Sequence, residues 1–221
     1  MDALQPTVRS LRLDGVYPVR GFKRHYVDEP LSCTFSYPGS WVYDPALEMA
    51  LQRRKSGLRY SSRQRGRQAP LPLVSLQPQG GGSEGCSLGL FVSSAGQAQS
   101  LVEALGSPEA AQATIVRRFL TGSPTDVQAE PVSAVALPAA PGAGGRDSYF
   151  FEMRVQTSAS NDANASPAGD ADGPLSVWTS AQLAPGLQGK PSYVVLLSGV
   201  APLGIAEEEL VRASVQSLEA L

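Results

Sequence analysis

The sequence predicts an α+β domain in which helices lie on a mostly antiparallel sheet. Three observations lead there: runs rich in Val, Leu, Phe and Tyr recur between Pro, Gly and Ala breaks, two further segments carry apolar residues at helical spacing, and the second half strings strands together without intervening helices. Successive strands of this kind favour an antiparallel meander over parallel crossovers, and two amphipathic helices give the sheet its cover.

The first strand pair is read at residues 21–28 and 33–38, which alternate in apolar character across a short Glu29-Pro30-Leu31-Ser32 link, a hairpin signal. Tyr37-Pro38-Gly39-Ser40-Trp41 closes the second strand with a Pro-Gly turn, and Trp41 is expected to cap the core beneath it. After Asp44 a Leu, Met and Ala-rich stretch turns basic, and its Ser, Gly and Pro content predicts an exposed loop over 53–70. Residues 71–76 read as a short strand, 77–85 as a glycine-rich turn and 87–93 as another strand.

Gly106-Ser107-Pro108-Glu109 is the best helix start: Ser107 can cap free N–H groups, Pro108 suits the first turn and Glu109 complements the dipole. Ala111, Ile115, Val116, Phe119 and Leu120 then share a face, so a helix to about residue 120 is expected, with Gly122 as its stop. Residues 132–137, 148–156, 175–183 and 192–200 read as strands. Ala206-Glu207-Glu208-Glu209 opens a second helix with Leu210, Val211, Ser214, Val215 and Leu218 on one side. Residues 157–173 are poor in apolar side chains and are expected to be a disordered insertion.

A chain of 221 residues with 42% hydrophobic content can bury one sizeable core, so a single domain over 21–221 with an N-terminal extension over 1–20 is expected. The 22 Gly and 18 Pro assign much of the length to turns. Lys and Arg total 18 against 20 acids, a formal charge of -2 that argues against a nucleic-acid partner. No run approaches the ~18–20 apolar residues of a transmembrane helix, and residues 1–20 lack a signal or transit pattern, so a mature chain, at most peripheral to a membrane, is expected.

The segments GFKRHYVDE and CTFSYPGSW resemble the opening of PsbP-domain proteins, with Phe22, Tyr26 and Asp28 followed by Tyr37-Pro38 and Trp41. SLGLFVSS, SLVEALGSPEAAQATIVRRFL, SYFFEMRVQ and the stretch from SYVVLLSGVAP to SVQSL resemble later pieces of the same family, in the family's order. The resemblance implies a sandwich of helices around a central antiparallel sheet, an α/β/α arrangement. It also implies residence in the chloroplast thylakoid lumen and non-enzymatic work on photosystem II, photosystem I or the chloroplast NDH complex, as extrinsic subunit or assembly factor. The best-known member shields the manganese cluster of the oxygen-evolving complex and helps retain calcium and chloride. This chain departs from it in having three lysines, Lys23, Lys55 and Lys190, and in carrying the Arg-rich loop and the 157–173 insertion. An assembly or stabilising role is therefore expected at least as much as an oxygen-evolving one.

Arg53, Arg54, Lys55, Arg59, Arg63, Arg65 and Arg67 follow one another with no acid among them and form the leading partner-binding candidate. Several cations on one loop could grip an acidic lumenal surface through paired hydrogen bonds; the plainer reading is a solvated loop. Cys33 and Cys86 are either two buried thiols or a disulfide, and the sequence leaves both open. Asp162-Ala163-Asn164-Ala165-Ser166 begins like an EF-hand, but Pro167 and Gly173 occupy the places of the turn glycine and the bidentate glutamate. No cofactor or metal site is thus expected, with only weak calcium binding by flexible acids left open. His25 is the sole histidine and has no GxSxG elbow or cysteine partner, so catalysis is not expected; an acid-sensing role competes with that of a packed strand residue. A PsbP-fold regulatory module outside the chloroplast, binding a small GTPase, is the alternative from another class.

Overall fold

The computed structural model describes residues 12–28, 30–47, 49, 71–79, 85–116, 127–138, 146–157, 173–186 and 190–220. Strands β1 (Phe22–Val27), β2 (Cys33–Pro38) and β10 (Glu219–Ala220) make a three-stranded sheet in the order β1-β2-β10. Strands β3 (Trp41–Tyr43), β4 (Val74–Pro78), β5 (Ser87–Gly96), β6 (Val127–Leu137), β7 (Ser148–Thr157), β8 (Leu175–Ala184) and β9 (Ser192–Pro202) make a seven-stranded sheet ordered β3-β4-β5-β9-β8-β7-β6. Every strand pairing is antiparallel.

Among the described residues, the helices α1 (Leu101–Leu105), α2 (Pro108–Ile115) and α3 (Glu207–Gln216) cover the larger sheet. Alternation along β9 separates two cores, since Val195 and Leu197 join the cluster built by β2 and α3, while Val194 and Leu196 join the one built by α1 and α2. Residues 176–184 of β8 are buried throughout, as a strand covered on both faces must be. The result is an α+β sandwich: α1 and α2 on one face of the sheet, α3 and the small sheet on the other.

Local chemistry sets the helix starts. Ser107 accepts from the Ala110 N–H at 3.3 Å with Pro108 in the first turn, as expected, and Ser100 accepts from the Glu103 N–H at 3.1 Å to open α1. Ala206 offers α3 no side-chain cap; instead the Glu208 carboxylate accepts from the Gly204 N–H at 3.0 Å and the Ser176 hydroxyl at 3.2 Å, which ties the helix start to β8. α3 then lies close on β9 because residue 199 is glycine. A Cβ there would fall 2.8 Å from Val215 Cγ2, and closer still to Val211 Cγ1.

Several boundaries differ from expectation. Ahead of β1, a 3-10 turn at Leu13–Gly15 packs on that strand, and Asp14 is buried, accepting from Tyr26 Oη at 2.8 Å. The first strand after the basic segment begins at Val74, three residues late, since Pro72 lacks the N–H a ladder needs. β6 starts at Val127, five residues early, running through Pro131. It is an edge strand and the register shifts between Pro131 and Ser133, where the missing N–H costs no ladder bond. The buried Gln112 amide donates to Ser133 O at 3.0 Å and Glu152 O at 3.1 Å across that bulge. α2 ends at Ile115 with Val116 still in helical conformation; residues 117–120 of its expected continuation and 158–172 of the expected insertion lie outside the described residues. Among the described residues no helix is long and apolar enough to cross a membrane.

Candidate functional site

The basic candidates Arg53, Arg54, Lys55, Arg59, Arg63, Arg65 and Arg67 lie outside the described residues, but the chain on either side of them does not. On one side, the Asp44 N–H donates to Ser75 O at 3.0 Å, and the Asp44 carboxylate accepts from the Ala46 N–H at 2.8 Å to begin a turn of helix. On the other, the Leu73 N–H donates to Leu90 O at 2.6 Å just before β4. The first flank is thereby fastened to β4 and the second to β5, neighbouring strands toward one edge of the large sheet. Leu47 is buried there, while Val42, Tyr43, Met49 and Leu73 are exposed. This edge thus carries apolar side chains on the described residues that precede and follow the basic segment in sequence.

The two sheets also meet here. β2 passes into β3 through Gly39, whose N–H donates to Gly21 O at 2.7 Å and where a Cβ would sit 2.9 Å from Pro18. Across the junction His25 Nδ1 of β1 lies 2.9 Å from Tyr43 Oη of β3. The imidazole is 5.2 Å from the Phe35 ring and meets the Tyr43 ring edge-on at 5.9 Å. Burial lowers the His25 pKa from its ordinary value, so the ring is neutral around pH 7. Tyr37, next in the cluster, is pushed up to about 12, by burial first and then by the charge and hydrogen bond of Tyr43. The histidine and phenols bridge the sheets. Their union was not legible in the sequence, because His25 and Tyr43 belong to different sheets and nothing in their spacing announces a contact.

Cys33, on β2, and Cys86, just before β5, are free buried thiols, the first of the two readings the sequence left open. Burial pushes Cys33 to about 11, and burial with the nearby Glu207 carboxylate pushes Cys86 to about 11. Neither supplies thiolate at neutral pH, the form that attacks or binds metal. Among the described residues no three His, Cys, Asp or Glu side chains are grouped to hold a metal ion, and the Asp162–Ser166 stretch weighed for calcium falls outside them.

A groove of about 550 Å³ opens at the far edge of the large sheet. Cross-strand partners Glu130 and Arg154, and Gln128 and Gln156, line it, with Pro174 and Leu203 as walls. It offers charges of both signs and two amides, drawn from four separate segments, which is why sequence reading missed it.

No protein-family model matches the chain, and no curated protein matches it. Among solved structures, one similar chain is LpqN of Mycobacterium tuberculosis, described as involved in cell envelope biogenesis. It is 14% identical over 90% of each chain with a TM-score of 0.40, a loose likeness on which neither family nor function rests.

Proposed function

We propose that this chain is a non-enzymatic PsbP-like protein of the thylakoid lumen, which docks on a photosynthetic membrane complex and supports its assembly or stability. The observation that carries the reading is the order of the resembling segments. GFKRHYVDE corresponds to β1, CTFSYPGSW to β2 and the start of β3, SLGLFVSS to β5, LGSPEAAQ to the α1–α2 junction, SYFFEMRVQ to β7 and SYVVLLSGVAP to β9. The resemblance therefore follows structural elements rather than composition. The partner is photosystem II on its oxygen-evolving side or photosystem I, met on the lumenal face, with contact made at the β3–β4 edge through the 53–67 cations.

Crosslinking of a tagged chain in intact thylakoids, followed by mass spectrometry, tests this. Oxygen-evolving subunits among the products would favour the extrinsic-subunit role, and photosystem I subunits with assembly factors the assembly role; recovery of no thylakoid protein would overturn the lumenal reading. Attachment through exposed cations is weakened by salt. Replacing Arg53, Arg54, Arg63 and Arg65 by Glu is expected to release the chain from the complex at low salt with its melting curve unchanged, and retained attachment would remove this segment from the docking surface.

A further inference from the structure

The turn preceding β1 displays four large apolar side chains within seven residues: Leu13 is 42% exposed, Val16 64%, Tyr17 67% and Val19 38%. A segment this apolar would ordinarily fold inward. Here it is held outward by a built frame. The Tyr17 N–H donates to Leu13 O at 2.9 Å, and Val19 and Phe22 exchange backbone hydrogen bonds of 2.7 and 3.1 Å. Beneath the turn, Asp14 accepts from Tyr26 Oη at 2.8 Å and lies 3.5 Å from Arg24 Nε, while Arg24 reaches Glu219 at 2.9 Å.

The charges around it are sorted by depth. Asp14 is the sole acid between residues 12 and 27, and it is turned into the fold against Arg24. The cations Arg12, Arg20 and Lys23 flank the apolar residues in sequence, and Arg12 pairs with the next acid, Asp28, at 2.8 Å while lying 4.9 Å over the Tyr26 ring. An apolar tip followed in sequence by Arg20 and Lys23, with its acid withdrawn, is complementary to a surface that is anionic outside and apolar a few ångströms deeper. That is the profile of a bilayer carrying anionic headgroups. Tyr17 is also of the residue type that settles at the headgroup level.

We infer that the turn over residues 13–19 is a membrane-contact element that inserts Val16 and Tyr17 into the interface of an anionic lipid surface, steered by Arg20 and Lys23. The inference stands on the chemistry of the turn and not on the identity of any partner complex. Because the frame fixes the turn beforehand, little ordering is lost on contact.

Flotation of the full chain with phosphatidylcholine vesicles, with and without phosphatidylglycerol, tests it. The chain is expected to float with the phosphatidylglycerol vesicles and to do so less as salt rises. The double substitution Val16→Asp and Tyr17→Asp is expected to weaken binding about tenfold or more, with an unchanged melting temperature because both side chains are exposed. A Tyr17→Trp variant is expected to shift its emission to the blue on the same vesicles. Three outcomes would overturn the inference: no flotation of the parent chain, equal flotation of the double variant, which would assign binding to other cations such as those at 53–67, and unshifted emission from the Tyr17→Trp variant. Loss of a protein partner by the double variant with vesicle binding intact would likewise overturn it, in favour of protein docking.

Discussion

Replacing Gly199 with alanine tests the packing of α3 on the large sheet. Gly199 has no positive φ, so alanine's backbone fits, and reduced freedom of the unfolded chain would by itself favour the variant by ~0.4–1 kcal/mol. The opposing effect is steric. The new methyl carbon would lie 2.8 Å from Val215 Cγ2 and 3.2 Å from Leu88 Cδ2, and deeper inside Val211, three buried side chains that cannot swing into solvent. Overpacking a core by one methyl costs about 1–3 kcal/mol, so a net loss of ~1–2 kcal/mol is expected, or ~2–8 °C in Tm for a chain of this size. Val211→Ala removes the group that collides most. The two substitutions should therefore be less costly together than the sum of their separate effects, by about 1 kcal/mol or more. Urea unfolding of the four proteins gives the coupling directly. Strict additivity, or a Gly199→Ala variant as stable as its parent, would show that α3 does not rest on β9 at this point.

Three further outcomes are expected. Gln182 joins the sheets from within, its amide donating to Leu218 O at 2.7 Å and accepting from the Ala220 N–H, so Gln182→Leu leaves two buried backbone groups unpaired and should lower unfolding free energy by ~2–5 kcal/mol in denaturant titration. Burial lowers the His25 pKa in the fold, so the unfolded chain binds that proton more tightly; the histidine's share of stability is whole above about pH 6.5 and shrinks as pH falls below it. Unfolding curves from about pH 8 to about pH 5 should accordingly show a shallower acid loss in His25→Phe than in the parent, and identical slopes would contradict the placement of His25. Cys33 and Cys86, 0% and 5% exposed, should react with a thiol reagent only at the rate at which the domain opens, and a rapid phase at either would contradict their burial.

Much of the strand content was legible because it is local. β1, β2, β5, β7, β8 and β9 carry dense Val, Leu, Phe and Tyr patterns between Gly and Pro breaks, and α2 announces itself through Ser107 and Pro108. What escaped is nonlocal or short. α1 has five residues and one buried side chain, too few for periodicity. β10 has two residues and exists only because β2 receives it. The split into two sheets, and the seating of β5 beside β9, depend on pairings across 96 residues (Gly96 to Ser192) or more that no local pattern encodes. Proline at 131 reads as a breaker until the strand is known to be an edge with a bulge. At the site, the cations were legible as a run, whereas the anchoring of their flanks to β4 and β5 and the His25–Tyr43 contact arise only from the tertiary fold.

The small sheet has a consequence for synthesis. Its closure draws on residues 217–220: the Ser36 N–H donates to Ser217 Oγ at 2.7 Å across 181 positions, and Ala220 pairs with Cys33. A two-stranded hairpin is at best marginally stable alone. While a ribosome is still adding α3, β1 and β2 can pair with each other, but the second edge of β2 at Cys33 and Thr34 lacks β10, and the Ser36 N–H lacks Ser217. Completion of the domain is therefore deferred until the far end has emerged, and a holding factor acting during that interval would find its target in the first strands made.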